Sequence, residues 1–202
     1  MPKTFAIALL ALLLHTAQAK AQPFSAGITV GLAATQVDGD SYSGYHKAGP
    51  IAGIWVQANT NTPWSIVAKF RYIQKGSFAK GQTPGTTIFK LRLNYLELPL
   101  LVLYSINSRF SLGAGFSTGY LASLREFNIS GAVPHQQTIA LRRYEVAAMG
   151  GLIINLYEHL RAEAMFSYSA IPLMPAPPLL EHWRNKGVFN NVIELTLSYY
   201  VH

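Results

Sequence analysis

The chain is 202 residues long, 50% of it hydrophobic and only 12% charged, and it contains no cysteine. That length suits one domain or one closed barrel, and the charged share is about half that of an ordinary soluble domain. The 16 Lys and Arg against 9 Asp and Glu are scattered along strand-like runs instead of clustered on one polar face, so a nucleic-acid binder is not expected; the missing thiols exclude disulfides and thiolate chemistry.

The N-terminus carries an export pattern. Met1-Pro2-Lys3 is a short positive start, Phe5 to Leu14 is apolar, and Ala17-Gln18-Ala19 fits an A-x-A cleavage site, with Ala19-Lys20-Ala21 offering a second. This predicts a signal peptide over residues 1–21, cleaved after Ala19 or Ala21, whose apolar run is too short to anchor the chain. The remainder, residues 22–202, holds no stretch of 18 consecutive apolar residues, so no transmembrane helix is expected.

Beyond this leader the chain alternates with period two, the mark of strands with two unlike faces. The first run, from Phe24, sets Phe24, Ile28, Val30 and Leu32 against Ser25, Gly27, Thr29 and Gly31. The second is Ile51 to Ala58. The third, Trp64 to Gly76, opposes Trp64, Ile66, Phe70 and Tyr72 to Ser65, Lys69, Arg71 and Lys75. In the fourth, Phe89 to Tyr104, the large residues Phe89, Leu91, Leu93 and Tyr95 alternate with Lys90, Arg92 and Asn94. The fifth, Phe110 to Leu121, has Phe110, Leu112, Phe116 and Tyr120 on one face and Ser111, Gly113, Gly115, Ser117 and Gly119 on the other. The sixth (Arg142 to Asn155), seventh (Leu160 to Tyr168) and eighth (Val188 to His202) place Glu145, Arg161, Glu163 and Glu194 opposite their large apolar residues.

The connections alternate strictly between short (59–63, 105–108, 156–159) and long (38–48, 78–87, 124–141, 170–187). An even strand number with short turns on one side and long loops on the other is the pattern of a transmembrane β-barrel. The predicted fold is therefore all-β, an eight-stranded antiparallel up-and-down transmembrane barrel in a bacterial outer membrane, with both termini periplasmic and the long loops extracellular. A soluble lipocalin- or streptavidin-like barrel would hold large apolar residues inside and charges outside. Here the charges share their face with Gly and Ser, which inverts that arrangement. Trp64, Tyr72, Tyr104, Tyr120, Tyr144, Tyr168 and Tyr199, near strand ends, suit interfacial girdles.

At YIQKGS (Tyr72 to Ser77), NYLELPLLVLY (Asn94 to Tyr104) and FSLGAGFSTGYL (Phe110 to Leu121) the sequence resembles the PorT-like outer-membrane β-barrel family of the Bacteroidetes. In that family a Y-x-x-KG run, a loop, a YLEIPLLLKY strand, a turn and an aGp-x-GYLL strand occur in this order. Arg142 to Leu156 stands in place of the family's D-x-G-x-x-G-x-G strand, with Glu145 where Asp is common. The chain ends in Tyr200-Val201-His202 instead of a terminal aromatic. The resemblance implies an outer-membrane barrel; its namesake serves secretion and gliding machinery.

Candidate functional residues fall into two groups. The first is a charge network in the lumen: Lys69, Arg71, Lys75, Lys90, Arg92, Arg143 and Arg161 against Glu97, Glu145, Glu163 and Glu194, a slightly positive interior that fills a narrow barrel. Glu97, in register with Leu91, Leu93 and Tyr95, would face lipid, so a register shift at the nearby Pro99 is expected to turn it inward. The second is a stiff apolar loop, Pro172, Leu173, Met174, Pro175, Pro177, Pro178, Leu179 and Leu180, which either covers the barrel mouth or docks on another protein. His46, His135 and His182, with Asp38 and Asp40, offer the alternative of a loop-borne metal or enzyme site; a narrow channel or small-ligand binder is a further alternative. The reading adopted is a non-enzymatic structural or accessory subunit with no catalytic residues, metal or cofactor, whose partners are outer-membrane lipid and other outer-membrane proteins.

Overall fold

The computed structural model describes residues 24–39, 44–80, 87–129, 131–134, 141–174 and 187–201. The predicted signal peptide therefore lies outside the described residues. The strands are β1 (Phe24–Asp38), β2 (Lys47–Asn59), β3 (Trp64–Lys80), β4 (Thr87–Ser105), β5 (Phe110–Asn128), the two-residue β6 (Gly131–Ala132), β7 (Tyr144–Tyr157), β8 (Leu160–Ser169) and β9 (Phe189–Tyr200). Each long strand pairs antiparallel with its chain neighbour, and β9 pairs with β1 from Gly27↔Tyr200 to Asp38↔Phe189. The eight long strands thus close on themselves and leave no free edge among them, while β6 only extends the tip of β5. Closure matters because every backbone N–H and C=O of a sheet in lipid must find its partner within the sheet.

Side chains sort by parity. In β1 to β8 the odd-numbered residues point inward over the spanning part, and in β9 the even-numbered ones do. Outside lie Ile28, Val30, Leu32, Ile54, Val56, Ile66, Phe70, Leu98, Leu112, Phe116, Leu195 and Leu197, all exposed. Aromatic residues bound this apolar band. Trp64 packs on Tyr104 at 4.8 Å at the end carrying the short turns, and Tyr120 packs on Tyr144 at 5.5 Å nearer the end carrying the loops. We call these the turn end and the loop end.

The strands differ in height. At about 3.3 Å per residue and a tilt near 40°, the 19 residues of β4 rise roughly 48 Å, whereas a lipid-facing band is about 25 Å tall. The 10 residues of β8 rise roughly 25 Å on the same arithmetic. The barrel is therefore cut obliquely, with β3, β4 and β5 standing well above the band at the loop end.

That height corrects the reading of β4. Leu91, Leu93 and Tyr95 are buried in the interior, in continuous alternation with Glu97, while Lys90, Arg92 and Asn94 lie on the outer wall. Glu97 needs no register change to face inward. The β3–β4 pairing keeps one register from Trp64↔Tyr104 through Arg71↔Glu97 to Ala79↔Phe89. Pro99 removes a donor there without bulging the strand. The irregularity in this region belongs to β5 instead: its pairing with β4 jumps from Tyr95↔Leu121 to Asn94↔Ser123, leaving Ala122 as the extra residue.

Candidate functional site

The interior is stacked in three levels. Nearest the turn end, Trp55, Val67, Leu101, Leu103, Met149, Ile153 and Met165 form a buried apolar cluster. Toward the loop end, Ile51, Ile73, Leu91, Leu93, Tyr95, Leu121, Val192 and Leu173 form a second. Between them lies a layer of buried charge contributed by β3, β4, β7, β8 and β9. The alternation that places Gly and Ser on the inward face leaves room for these long side chains; a Cβ added at Gly119, for instance, would press on Glu97 Cγ at 3.3 Å.

Arg71 is the hub of this layer. Its guanidinium donates to Glu97 Oε2 from Nε at 3.0 Å and Nη2 at 2.7 Å, and to Glu194 from Nη1 at 2.5 Å and Nη2 at 2.8 Å. The planar fork suits two carboxylates at once. Lys75 bridges onward, with Nζ 2.6 Å from Glu97 Oε1 and 3.1 Å from Glu145 Oε2. A second group joins Lys69 and Arg161 to Glu163, the latter through Nε to Oε1 at 3.0 Å. The remaining carboxylate lone pairs are taken by Ser169, which donates to Glu145 at 2.6 Å, Ser167 to Glu194 at 3.2 Å, Ser198 to Glu163 at 2.8 Å and Asn190 to Glu145 at 3.0 Å. Four cations meet four carboxylates, so the layer is neutral. Burying charge is costly unless it is paired and hydrogen-bonded, and each of these eight groups has at least one partner of opposite charge.

Of the residues expected in the lumen, Lys69, Arg71, Lys75, Glu97, Glu145, Arg161, Glu163 and Glu194 are brought together. Lys90, Arg92 and Arg143 are not, which corrects the expectation of a positive interior. Lys90 and Arg92 point outward because the loop-end half of β4 carries its apolar side inward, onto the upper cluster. Arg143 is exposed just before β7 and donates to Tyr120 Oη at 3.2 Å on the outer wall.

Sequence reading missed the cap of the layer at the turn end. Arg161 stacks on Trp55 at 4.1 Å, and its Nη1 donates to Gln57 Oε1 at 2.7 Å and Tyr200 Oη at 3.3 Å. The signal was present: Trp55 and Gln57 share parity with Gly53, and Tyr200 with Ser198 and Glu194. Beyond this cap a polar vestibule of about 470 Å³ opens, lined by Ser25, Asn59, Arg109, Asn155, Glu158 and Tyr200 among others.

The apolar loop divides. Leu173 is buried in the upper cluster and its N–H donates to Val188 O at 2.7 Å, while Val188 N–H returns to Met174 O at 2.9 Å. This corrects the docking assignment for Leu173, which is a mouth-covering residue; Pro172 and Met174 beside it are half-buried. Pro175, Pro177, Pro178, Leu179 and Leu180 lie outside the described residues, as do Asp40, His135 and His182. Among the described residues no cluster of His, Asp and Glu is placed to hold a metal ion.

A closed barrel with an apolar outer band and a charged, filled interior matches one family in sequence as well: the model of the outer membrane protein beta-barrel domain matches residues 16–173. The chain belongs to that family. No curated protein matches it significantly in sequence. Among solved structures, this outer-membrane barrel is similar to Neisserial surface protein A, with a TM-score of 0.55 at 9% identity, covering 88% of this chain and 98% of that one. It is also similar to Ail, the attachment invasion locus protein of Yersinia pestis, in complex with the heparin analogue sucrose octasulfate, with a TM-score of 0.51 at 17% identity, covering 88% of this chain and 98% of that one. Both likenesses are of fold. The family places the apolar outer face against membrane lipid, in the bacterial outer membrane.

Proposed function

We propose that this barrel is a non-enzymatic structural and interaction subunit, an accessory component of an outer-membrane secretion, transport or assembly complex, and that the loop end is its working surface. The observation that carries this reading is the filled interior. An apolar cluster, a neutral charge layer and a second apolar cluster occupy successive levels among the described residues, which supports a lumen plugged above the turn-end vestibule. The lipid-facing wall is generic to such barrels, which leaves the loops to distinguish this one.

In this reading residues 1–21 are an export leader, both strand termini and the short turns are periplasmic, and the long loops are extracellular. The Tyr72–Ser77, Asn94–Tyr104 and Phe110–Leu121 motifs support a PorT-like branch of the family. Purification in mild detergent from native cells, followed by mass spectrometry of what comes with the barrel, tests the role. Deleting residues 175–180 is expected to lose a co-purifying outer-membrane protein while the barrel still folds; an unchanged set of companions would refute docking through this loop. An epitope inserted at 41–43 should be accessible to antibody on intact cells, and one appended after His202 should not.

A further inference from the structure

Lys90 and Arg92, excluded from the lumen, meet a third cation on the outer wall. Pairing of β2 with β3 ends at Ile51↔Ile73. Past that point the Lys47 ammonium reaches the outward-facing Gln74, donating to its Oε1 at 2.8 Å and to Ala48 O at 3.1 Å. The result is a cleft of about 240 Å³ lined by His46, Lys47, Gln74, Phe78, Lys90 and Arg92. It sits on the tall side of the barrel, above Tyr72, where the outer wall changes from apolar to polar.

Among the described residues the cations there have no ion-pair partner: none of the six ion pairs includes Lys47, Lys90 or Arg92. Lys90 and Arg92 are held over the rings of Phe78, at 5.7 Å, and Phe127, at 5.4 Å, and Arg92 Nε is buried without a hydrogen-bond acceptor. Arg92 also stands directly across from Arg125, a like-charge pair that costs stability unless something neutralises it. Burial, and then the nearby Arg92 and Lys90 charges, pull the Lys47 ammonium down to about 8. Of the described acids in this part of the barrel, two have other placements. Glu126 shares a register position with the inward-facing Leu91, Asp38 is held by Gln36 and Asn191, and residues 81–86, which join β3 to β4, include no acid.

We propose that this cleft binds a phosphate or sulfate group, supplied by the headgroup of an anionic lipid packed against the barrel. Lys90 and Arg92 supply the charge, Arg92 Nε the missing donor, and Lys47 a third positive contact. A headgroup is the fitting source because the cleft opens at the edge of the lipid-facing band, beside the chains that such a lipid would lay on Tyr72 and Phe70. The ligand assignment rests on the membrane-embedded reading of the wall, and not on the accessory role, so the two fail separately.

The test uses the full mature barrel in nanodiscs of zwitterionic phosphatidylcholine doped with lipid A, bound lipid being counted by native mass spectrometry. Wild type should retain lipid A and bind enzymatically dephosphorylated lipid A at least about tenfold more weakly, the loss expected for one charge-assisted hydrogen bond. The Lys90→Gln/Arg92→Gln variant should lose binding by a similar factor while its heat-dependent gel shift, the mark of a folded barrel, stays unchanged. Arg92→Lys should fall between. Displacement of lipid A by millimolar inorganic phosphate would assign the site to the phosphate group itself; resistance to it would assign the site to the intact lipid. Equal binding of lipid A and its dephosphorylated form, or full binding by the folded double variant, would overturn the proposal.

Discussion

Glu97 touches two cations at once, Arg71 at 2.7 Å and Lys75 at 2.6 Å, at a position only 1% exposed. Replacing it by Gln strips both of a counter-charge without giving them water. Breaking a buried pair by removing one partner costs about 3–5 kcal/mol, so Glu97→Gln should lower the unfolding midpoint in urea, followed by Trp fluorescence in lipid vesicles, by far more than any change on the outer wall. Arg92→Gln, on that wall, should leave the midpoint unchanged within about 0.5 kcal/mol. Most of this chemistry was legible in the sequence, because a charge that shares its strand face with Gly and Ser has only the lumen to enter. Lys47 was not legible. It shares inward parity with Gly49 and Ile51, yet its ammonium emerges outside where β2 and β3 part, and no pattern in one strand can show where two strands separate.

At the scale of a strand, β4 shows what period two can and cannot say. Alternation of Phe89, Leu91, Leu93 and Tyr95 with Lys90, Arg92 and Asn94 was correctly a strand. Which set faced inward depended on what lay outside, and a strand of 19 residues runs out of lipid partway up. Within the band, large residues face the chains; above it the outside is aqueous, and the polar set turns outward while the apolar set seals the mouth. Gly76 in β3 lies past the end of the β2–β3 pairing and accepts a 2.8 Å hydrogen bond from Thr35 Oγ1 at its carbonyl. Its φ of +134° lies in the region that side chains avoid, and a Cβ there would lie 2.0 Å from Leu91 O. Gly76→Ala should therefore destabilise the barrel by at least about 1–3 kcal/mol. Gly150→Ala, whose added Cβ would meet nothing nearer than Gly113 O at 3.8 Å, should not. Paired urea titrations of the two variants decide it; equal midpoints would mean the β3 backbone relaxes.

For the whole molecule, the three filled levels predict an electrical property. Planar-bilayer recordings of the purified barrel should show no stable large channel, and the appearance of one would mean that the apolar clusters open in lipid. The even strand number, the strict alternation of short and long connections and the inverted placement of charge made the closed barrel readable in advance. Its oblique rim was not, since strand length alone does not say how much of a strand stands clear of the bilayer. The charge layer also has a consequence for how the chain comes together in time. Strands β1 to β4 bring Lys69, Arg71 and Lys75 against Glu97 alone, while β5 to β9 bring Glu145, Glu163 and Glu194 against Arg161 alone. Within the layer, the first half of the chain therefore contributes two surplus positive charges and the second half two surplus negative ones. Neither half is electrically complete until β7, β8 and β9 come to face β3 across the lumen, so a barrel stalled half-way should be the species that lipid tolerates least.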